Sequence, residues 1–553
     1  MIDVALDVEH LSAQINAAMP RIEGDYATVS ARFEWQIPDH FNYAVDVIDV
    51  WARNPDLLAL ISVDADGCER RYTYADVSAI TRRLAAGLQK QGVRKGDRVL
   101  VVFPRIAEWQ LAMVACVRLG AVVIPCIEML TQKDLAYRIN HAEARAVITT
   151  AANVEKLDPV TDGLVRVSMD APQHWLDFWR LAETDDSALR TPTVAANDPA
   201  IMYYTSGSTG MPKGVLHAAR ALYAWRVSAW YWHGLRPDDV MWCTADTGWS
   251  KAGTAILWAP WSTGCTVLFY NGPFDPSKRL ELIARHEVSV FCAAATEFRH
   301  LVTQDLRSFA APALRLTVSS GEAVNPDVIV QWEKATGCRL LEAYGQTETI
   351  MTVANQVGEE RRAGAMGRAL PGCTLGILST DRVRRPAGEV GELALRLPNP
   401  QLMLGYYKDP DRTAAGSVQI DGEPWWLTGD LGRIDENGFV YYEGRVDDII
   451  SSAGYRIGPF EVESALQEHP SVLECAVVAS PDPERGEIVK AFVVLKSGIT
   501  ASPLLVTELQ DHVKRTTAPY KYPRQIEFVD DLPKTSTGKL LRRLLRDREF
   551  GRQ

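Results

Sequence analysis

Between Val99 and Ile124 the chain sets two short apolar runs, Val99 to Phe103 and Ala121 to Ile124, on either side of an apolar helical stretch, Trp109 to Leu119, that Gly120 ends. Two strands separated by a helix of that length pair side by side in the same direction, so the segment predicts a strand, a crossover helix and a parallel strand. Upstream, Thr73 with Asp76 three residues on signals a helix start. Val77, Ile80, Leu84 and Leu88 then recur at helical spacing until Gly92 supplies a stop. The first two thirds of the chain reads as α/β, with these apolar residues as core.

A length of 553 residues suggests about three or four structural units. With 47% hydrophobic and 23% charged residues the chain can bury a large core, which excludes disorder as its main state. Seventy acidic against fifty-nine basic residues leave 70 − 59 = 11 net negative charges, so there is no broad cationic field and nucleic acid is disfavoured as a partner. The nine cysteines include no CxxC pair and no histidine at zinc-ligand spacing, and they read as reduced core residues of a cytoplasmic protein. Met1 to Pro20 lacks a basic start and a long apolar run, so no targeting peptide is expected. The most apolar stretch, Leu111 to Leu130, is broken by Arg118, Pro125 and Glu128, and no integral membrane segment is expected.

The texture changes near Arg445. Before it, Thr428-Gly429-Asp430 and Glu436-Asn437-Gly438 read as turns between short strands. After it, Pro459 opens a helix through Gln467, and the β-branched runs Ala476 to Ala479 and Val489 to Leu495 alternate with helix-like segments. The last stretch is basic, with Lys514, Arg515, Lys521, Arg524, Lys534, Lys539, Arg542 and Arg543, and can serve a phosphate-bearing ligand.

The segment most informative about chemistry runs from Tyr203 to Gly214 and contains Thr205, Ser206, Gly207, Ser208, Thr209, Gly210 and Lys213. Its glycines let backbone approach a ligand, its hydroxyls and N–H groups donate to phosphate oxygens, and Lys213 adds a point charge. The Walker A spacing is absent. Ala200 to Tyr204 reads as a strand and Ala218 to Trp230 as a helix, a strand, glycine loop and helix arrangement suited to phosphate.

On these residues the sequence resembles the acyl-adenylate-forming superfamily, and further family motifs follow in order. They are Ser320-Gly321-Glu322-Ala323-Val324, Tyr344-Gly345-Gln346-Thr347-Glu348, Gly388-Glu389-Val390-Gly391-Glu392-Leu393, Leu427-Thr428-Gly429-Asp430, Gly444-Arg445-Val446-Asp447-Asp448-Ile449-Ile450, Gly454-Tyr455-Arg456-Ile457 and Pro533-Lys534-Thr535-Ser536-Thr537-Gly538-Lys539. Phe41-Asn42-Tyr43-Ala44, Asp246-Thr247-Gly248-Trp249 and Arg456 to Glu463 look most like the medium-chain acyl-CoA synthetase branch. The resemblance implies a large multi-subdomain N-terminal α/β domain, 1–444, that binds ATP and acid. A small mobile α+β domain, 445–553, would follow it.

The same resemblance assigns roles. Lys539 is the catalytic lysine of adenylation, with Lys213 and Glu348 as partners; Glu348 and Thr347 lie by the Mg²⁺–triphosphate. Tyr344 offers adenine a flat face, Gly321 and Gly345 leave room for base and acyl group, and Asp430 accepts from the ribose hydroxyls. Glu322, Glu342, Ala343, Gln346, Arg445 and Arg456 complete the ATP set. Asp447 is the hinge, and Ala453, Gly454, Tyr455, Arg485, Lys514 and Tyr522 are nominated for CoA. Trp249, Gly248, Thr347 and Met129 are nominated for the acyl pocket, whose wall departs from the family pattern at Ala294-Ala295-Thr296. The implied reaction is ATP-dependent, AMP-forming acyl-CoA synthesis with Mg²⁺ and CoA, on a moderately sized acid. An aryl-CoA ligase and a non-catalytic nucleotide-binding descendant stay open, and so does the oligomeric state.

Overall fold

The computed structural model describes residues 7–205, 211–452, 455–534 and 540–551. Thr73 caps the helix Tyr74–Lys90 with a reciprocal capping box to Asp76, as the spacing predicts. The strands Arg98–Val102 and Val122–Cys126 pair in parallel across the helix Ala107–Arg118, which is buried along its whole length. A helix buried on every face belongs inside a sandwich of layers.

Among the described residues the strands form three sheets of fourteen, eight and five strands. In the largest, the strands Val240–Cys243, Val290–Cys292, Leu316–Ser320 and Leu340–Gln346 run parallel, and antiparallel strands from Ile350 onward extend it. The eight-stranded sheet is parallel through Val122–Cys126 and Pro199–Thr205 and then turns antiparallel. One core, which includes Trp51, Trp109, Trp225, Trp258 and Trp261, lies between the layers. The α/β reading of the larger part holds.

The structure corrects the local reading in several places. The helix expected from Ala218 begins at Ala219, but a strand the sequence reading lacked, Lys213–Ala218, comes before it and returns antiparallel to Pro199–Thr205. The alternation of Val215 and His217 with Gly214 and Leu216 carries that strand, but it is too short to outweigh the helical periodicity beyond it. Thr428-Gly429-Asp430 does not reverse the chain. It lies within one long strand, Glu423–Ile434, whose pairing slips at Leu431/Gly432, so the local irregularity is a bulge. The runs after Pro459 form one hairpin, Val472–Asp482 with Gly486–Leu495, without a helix between them. Cys68 is exposed and Cys373 intermediate, whereas the other seven thiols are buried.

The strand Phe439–Arg445 ends the large sheet, and the five-stranded sheet begins at Ile450 with its own core around Val462, Leu466, Val477, Ala491 and Val493. Pro459 opens the helix Pro459–Gln467 as expected. Tyr442 meets Phe460 edge to face at 5.3 Å between ring centres, joining the last strand of the large sheet to that helix. Among the described residues no helix is long and apolar enough to cross a membrane.

Candidate active site

The hairpin Pro199–Thr205 and Lys213–Ala218 sets Lys213 opposite Thr205, at the two ends of the glycine loop. Ser206, Gly207, Ser208, Thr209 and Gly210 lie outside the described residues. Because side chains alternate along a strand, Lys213, Val215 and His217 share one face. Both polar members of that face reach the turn Thr347–Thr349: Lys213 Nζ stands 4.0 Å from Glu348 Oε1, and His217 Nε2–H donates to the Thr347 carbonyl at 2.7 Å. Burial pulls the Lys213 amine below the ordinary lysine range, and Glu348 opposes that shift. His217, fully buried, is pulled down to about 4 by the same cause, so it stays neutral and serves as a donor.

The turn follows the strand Leu340–Gln346, whose neighbour Leu316–Ser320 pairs Ser319 with Glu342 and Ser320 with Ala343. Gly321, Glu322, Glu342 and Ala343 are thereby gathered at the carboxyl ends of two parallel strands, where open α/β sheets receive ligands. Glu342 accepts from the Val324 N–H at 2.8 Å, and burial pushes its carboxyl up to about 7. Gly321 has φ +91°, with open space where a Cβ would stand. Gly345 is different: a Cβ there would meet the Ile350 carbonyl oxygen at 2.0 Å. The sharp chain reversal by itself requires glycine here, a constraint the sequence reading did not include. Ile350 completes the reversal at φ +56°, a conformation that costs a β-branched residue energy.

Asp430, 4% exposed, gathers a second cluster. Tyr344 Oη donates to its Oδ2 at 2.6 Å, Gln346 Nε2 to the same oxygen at 2.5 Å, and Arg445 Nη1 to Oδ1 at 3.1 Å. Tyr344 is therefore a hydrogen-bonded aromatic, not only a flat surface. The Gly248 loop lies against Ile127, and Ser250 Oγ is 3.3 Å from Thr347 Oγ1, so Trp249 and Thr347 flank one region. Met129 is 66% exposed in the turn after Ile127 and adds nothing to that buried wall. The backbone of Ile127, which the sequence reading did not single out, touches the Gly248 position.

Sequence reasoning missed His217, Tyr406 and Lys251. Tyr406 Oη donates to Glu348 Oε1 at 2.7 Å, and Lys251 Nζ donates to the Ser320 carbonyl at 3.2 Å. His217 was legible as the period-two partner of Lys213. Nothing local signals Tyr406, which reaches the site because Gly405–Tyr406 pairs with Val215 and Leu216.

Residues 48–407 match the AMP-binding enzyme family, and 461–539 match the AMP-binding enzyme C-terminal domain. The mitochondrial acyl-coenzyme A synthetase ACSM3 of Rattus norvegicus is 38% identical over 96% of this chain and 95% of its own. The human mitochondrial acyl-coenzyme A synthetase ACSM5 is 40% identical over 93% and 92%. The chain belongs to the AMP-binding enzyme family, in its acyl-coenzyme A synthetase branch. Solved structures agree. An anthranilate CoA ligase in complex with anthranoyl-AMP is 29% identical, with a TM-score of 0.83 over 93% of this chain and 98% of that one. A benzoate CoA ligase from Burkholderia xenovorans is 28% identical, with a TM-score of 0.81 over 92% and 100%.

The segment that matches the family's C-terminal domain carries the remaining nominations. Ala453, Gly454 and Lys539 lie outside the described residues, as do the side chains of Asp447, Tyr455 and Arg456. Ser452 pairs with Gly486, so Arg485 lies next to the end of the strand Ile450–Ser452. Lys514 Nζ sits 4.4 Å from the Tyr522 ring centre, and Arg524 Nη1 donates to Tyr522 Oη at 3.0 Å. The expected basic surface is largely neutralised: Lys521 pairs with Glu461, Lys534 with Glu474, Arg542 with Glu463 and Arg543 with Asp547.

Proposed function

We propose that this chain activates a medium-size carboxylic acid, such as a medium-chain or branched fatty acid, in two half reactions. The acid and ATP give acyl-AMP and pyrophosphate; acyl-AMP and CoA then give acyl-CoA and AMP. The observation that carries this reading is that the five residues Tyr344 to Glu348 reach both clusters. Tyr344 and Gln346 hold Asp430, while Glu348 adjoins Lys213. One short segment thus joins an acidic acceptor suited to a ribose with a cation and a carboxylate suited to a metal-bound triphosphate.

Glu348 is a hard oxygen donor, and Mg²⁺ is usually bound through one or two carboxylates plus substrate phosphates, so the residue fits that ion. When bound, the ion would offset charge on the phosphates. Lys213 would hold the phosphates, Asp430 the ribose, and Arg445 the nucleotide at the border between 1–444 and 445–553. Lys539, carried on a moving C-terminal domain with Asp447 as hinge, would stabilise the charge that gathers when the carboxylate attacks the α-phosphorus. Arg485, Lys514 and Tyr522 would then serve CoA. The acyl wall is supplied by Gly248, Trp249 and Thr347.

A benzoate-like acid is the second reading, favoured by the fit to the two aryl ligases. Acid-dependent exchange of labelled pyrophosphate into ATP, run with short, medium, branched and aromatic acids, tests both. Exchange with medium-chain or branched acids supports the first reading and exchange with benzoates alone the second. No exchange with any acid leaves a non-catalytic nucleotide-binding protein. The cytoplasm is our proposed compartment; the curated relatives quoted above are named mitochondrial, and cell fractionation distinguishes the two.

A further inference from the structure

Lys213 and Glu348 carry opposite charges on half-buried side chains, yet they stop at 4.0 Å instead of closing to a hydrogen-bonded pair. Tyr406 stands between them. Its phenol donates to Glu348 Oε1 at 2.7 Å, which occupies the oxygen nearest the ammonium. Its ring lies beneath Lys213 Nζ, 4.6 Å from the ring centre, and Nζ is 3.5 Å from Oη. A ring face so placed attracts a cation while giving it no partner to neutralise it.

The backbone holds the tyrosine in place. Gly405–Tyr406 pairs antiparallel with the strand that begins at Lys213, with Tyr406 opposite Val215. The Tyr406 N–H donates to Thr413 Oγ1 at 2.9 Å, and the Met403 N–H donates to the Glu348 carbonyl at 2.8 Å. The same strap therefore anchors both the backbone and the side chain of Glu348.

We propose that Tyr406 is a positioning residue for the triphosphate end of the site, keeping Lys213 and Glu348 apart and available to a metal–nucleotide. The inference rests on the proposed ATP site. Without the phenol, the two charges are free to close on each other, and an incoming nucleotide must first separate them. The phenol touches both partners, donating to Glu348 Oε1 at 2.7 Å and accepting from Lys213 Nζ at 3.5 Å, whereas the ring acts on Lys213 alone, so the two parts of the side chain can be removed in turn.

The test uses the full-length protein and a nonhydrolysable ATP analogue, with affinity measured by calorimetry with and without Mg²⁺. Tyr406→Phe should weaken binding with Mg²⁺ by about tenfold, the scale of one hydrogen bond to a charged group. KM for ATP should rise in parallel while KM for the acid stays the same. Tyr406→Leu, which also removes the ring, should cost a further factor of about 2 to 5. In combination with Glu348→Ala, which removes the accepting oxygens altogether, the Tyr406→Phe effect should shrink markedly, because its main target is gone. Tyr407→Phe, on the neighbouring residue, should change nothing.

Unchanged affinity in Tyr406→Phe, or full additivity with Glu348→Ala, would overturn the inference. Because phenylalanine keeps the ring and its packing, failure of that variant to fold would assign the phenol to the core and overturn it too. Calorimetry needs no acid and no turnover. A wild type that binds the analogue but activates no acid would sink the proposed function and leave the role of Tyr406 measurable. An active wild type whose Tyr406→Phe variant binds normally sinks this inference alone.

Discussion

Asp430 and Arg445 face each other across two antiparallel strands, and the Arg445 guanidinium donates to Asp430 Oδ1 at 3.1 Å. With Tyr344 and Gln346 on the other oxygen, the carboxylate is held by three donors before any ligand arrives. Such a group accepts a ribose hydroxyl without having to be ordered first. Asp430→Asn keeps the shape and removes the charge. Its KM for ATP should rise about 10- to 100-fold, the range of a charge-assisted hydrogen bond, with KM for the acid nearly constant. Steady-state kinetics with each substrate varied checks the split; an equal rise in both constants would count against a nucleotide role.

The large-scale organisation was legible because it rests on repeated signals. The capping box at Thr73 and Asp76 and the apolar runs on either side of Trp109 to Leu119 each state a local preference that the packing keeps. The clusters around Glu348 and Asp430 were legible as ordered motifs. The sequence could not display pairings between distant segments. Tyr406 is 58 residues from Glu348 and 193 from Lys213, and only the short pairing of Gly405–Tyr406 with the hairpin brings them together. The steric constraint at Gly345 was missed for a related reason, since the atom that crowds it belongs to the far side of a turn.

His217 gives a pH dependence of known sign. Its folded value is about 4 against an ordinary 6.5, so between those values the unfolded chain binds a proton that the folded chain refuses. Its contribution to stability is intact above pH 6.5 and is lost as pH falls toward 4, by about 3 kcal/mol at most. Glu342, pushed up to about 7, acts with the opposite sign between its unfolded value and 7, so the wild-type curve alone mixes the two. The difference between wild type and His217→Gln isolates the histidine. The variant should gain on the wild type as pH falls from about 7 to about 4 in denaturant titrations; parallel curves would remove His217 as the source.

Gly345 and Gly321 should respond differently to alanine. At Gly345 the added Cβ would meet a backbone oxygen at 2.0 Å, so the turn that carries Glu348 must move. At Gly321 the space is open and only the positive φ resists. Gly345→Ala should cost about 3 kcal/mol or more, the upper range of overpacking, and Gly321→Ala about 1 to 2. Thermal melting ranks them. If Gly345→Ala is the milder change, the turn is softer than its geometry implies.

In the proposed cycle Lys539 and Asp447 would separate the two half reactions. When a carboxylate attacks the α-phosphorus of ATP, two anions converge, and an ammonium about 4 Å away at an effective dielectric near 20 contributes about 4 kcal/mol. That is worth roughly three orders of magnitude in rate. Thioester formation from acyl-AMP has no such collision to offset, and in the proposed cycle the C-terminal domain has turned Lys539 away by then. Lys539→Ala should therefore lose adenylation while still making acyl-CoA from supplied acyl-AMP. Asp447→Pro, which stiffens the proposed hinge, should spare the first half reaction more than the second. Rapid-quench rates for each half reaction decide both. Equal losses in Lys539→Ala would withdraw the lysine's assignment, and an unchanged ratio in Asp447→Pro would argue that no domain rotation separates the steps.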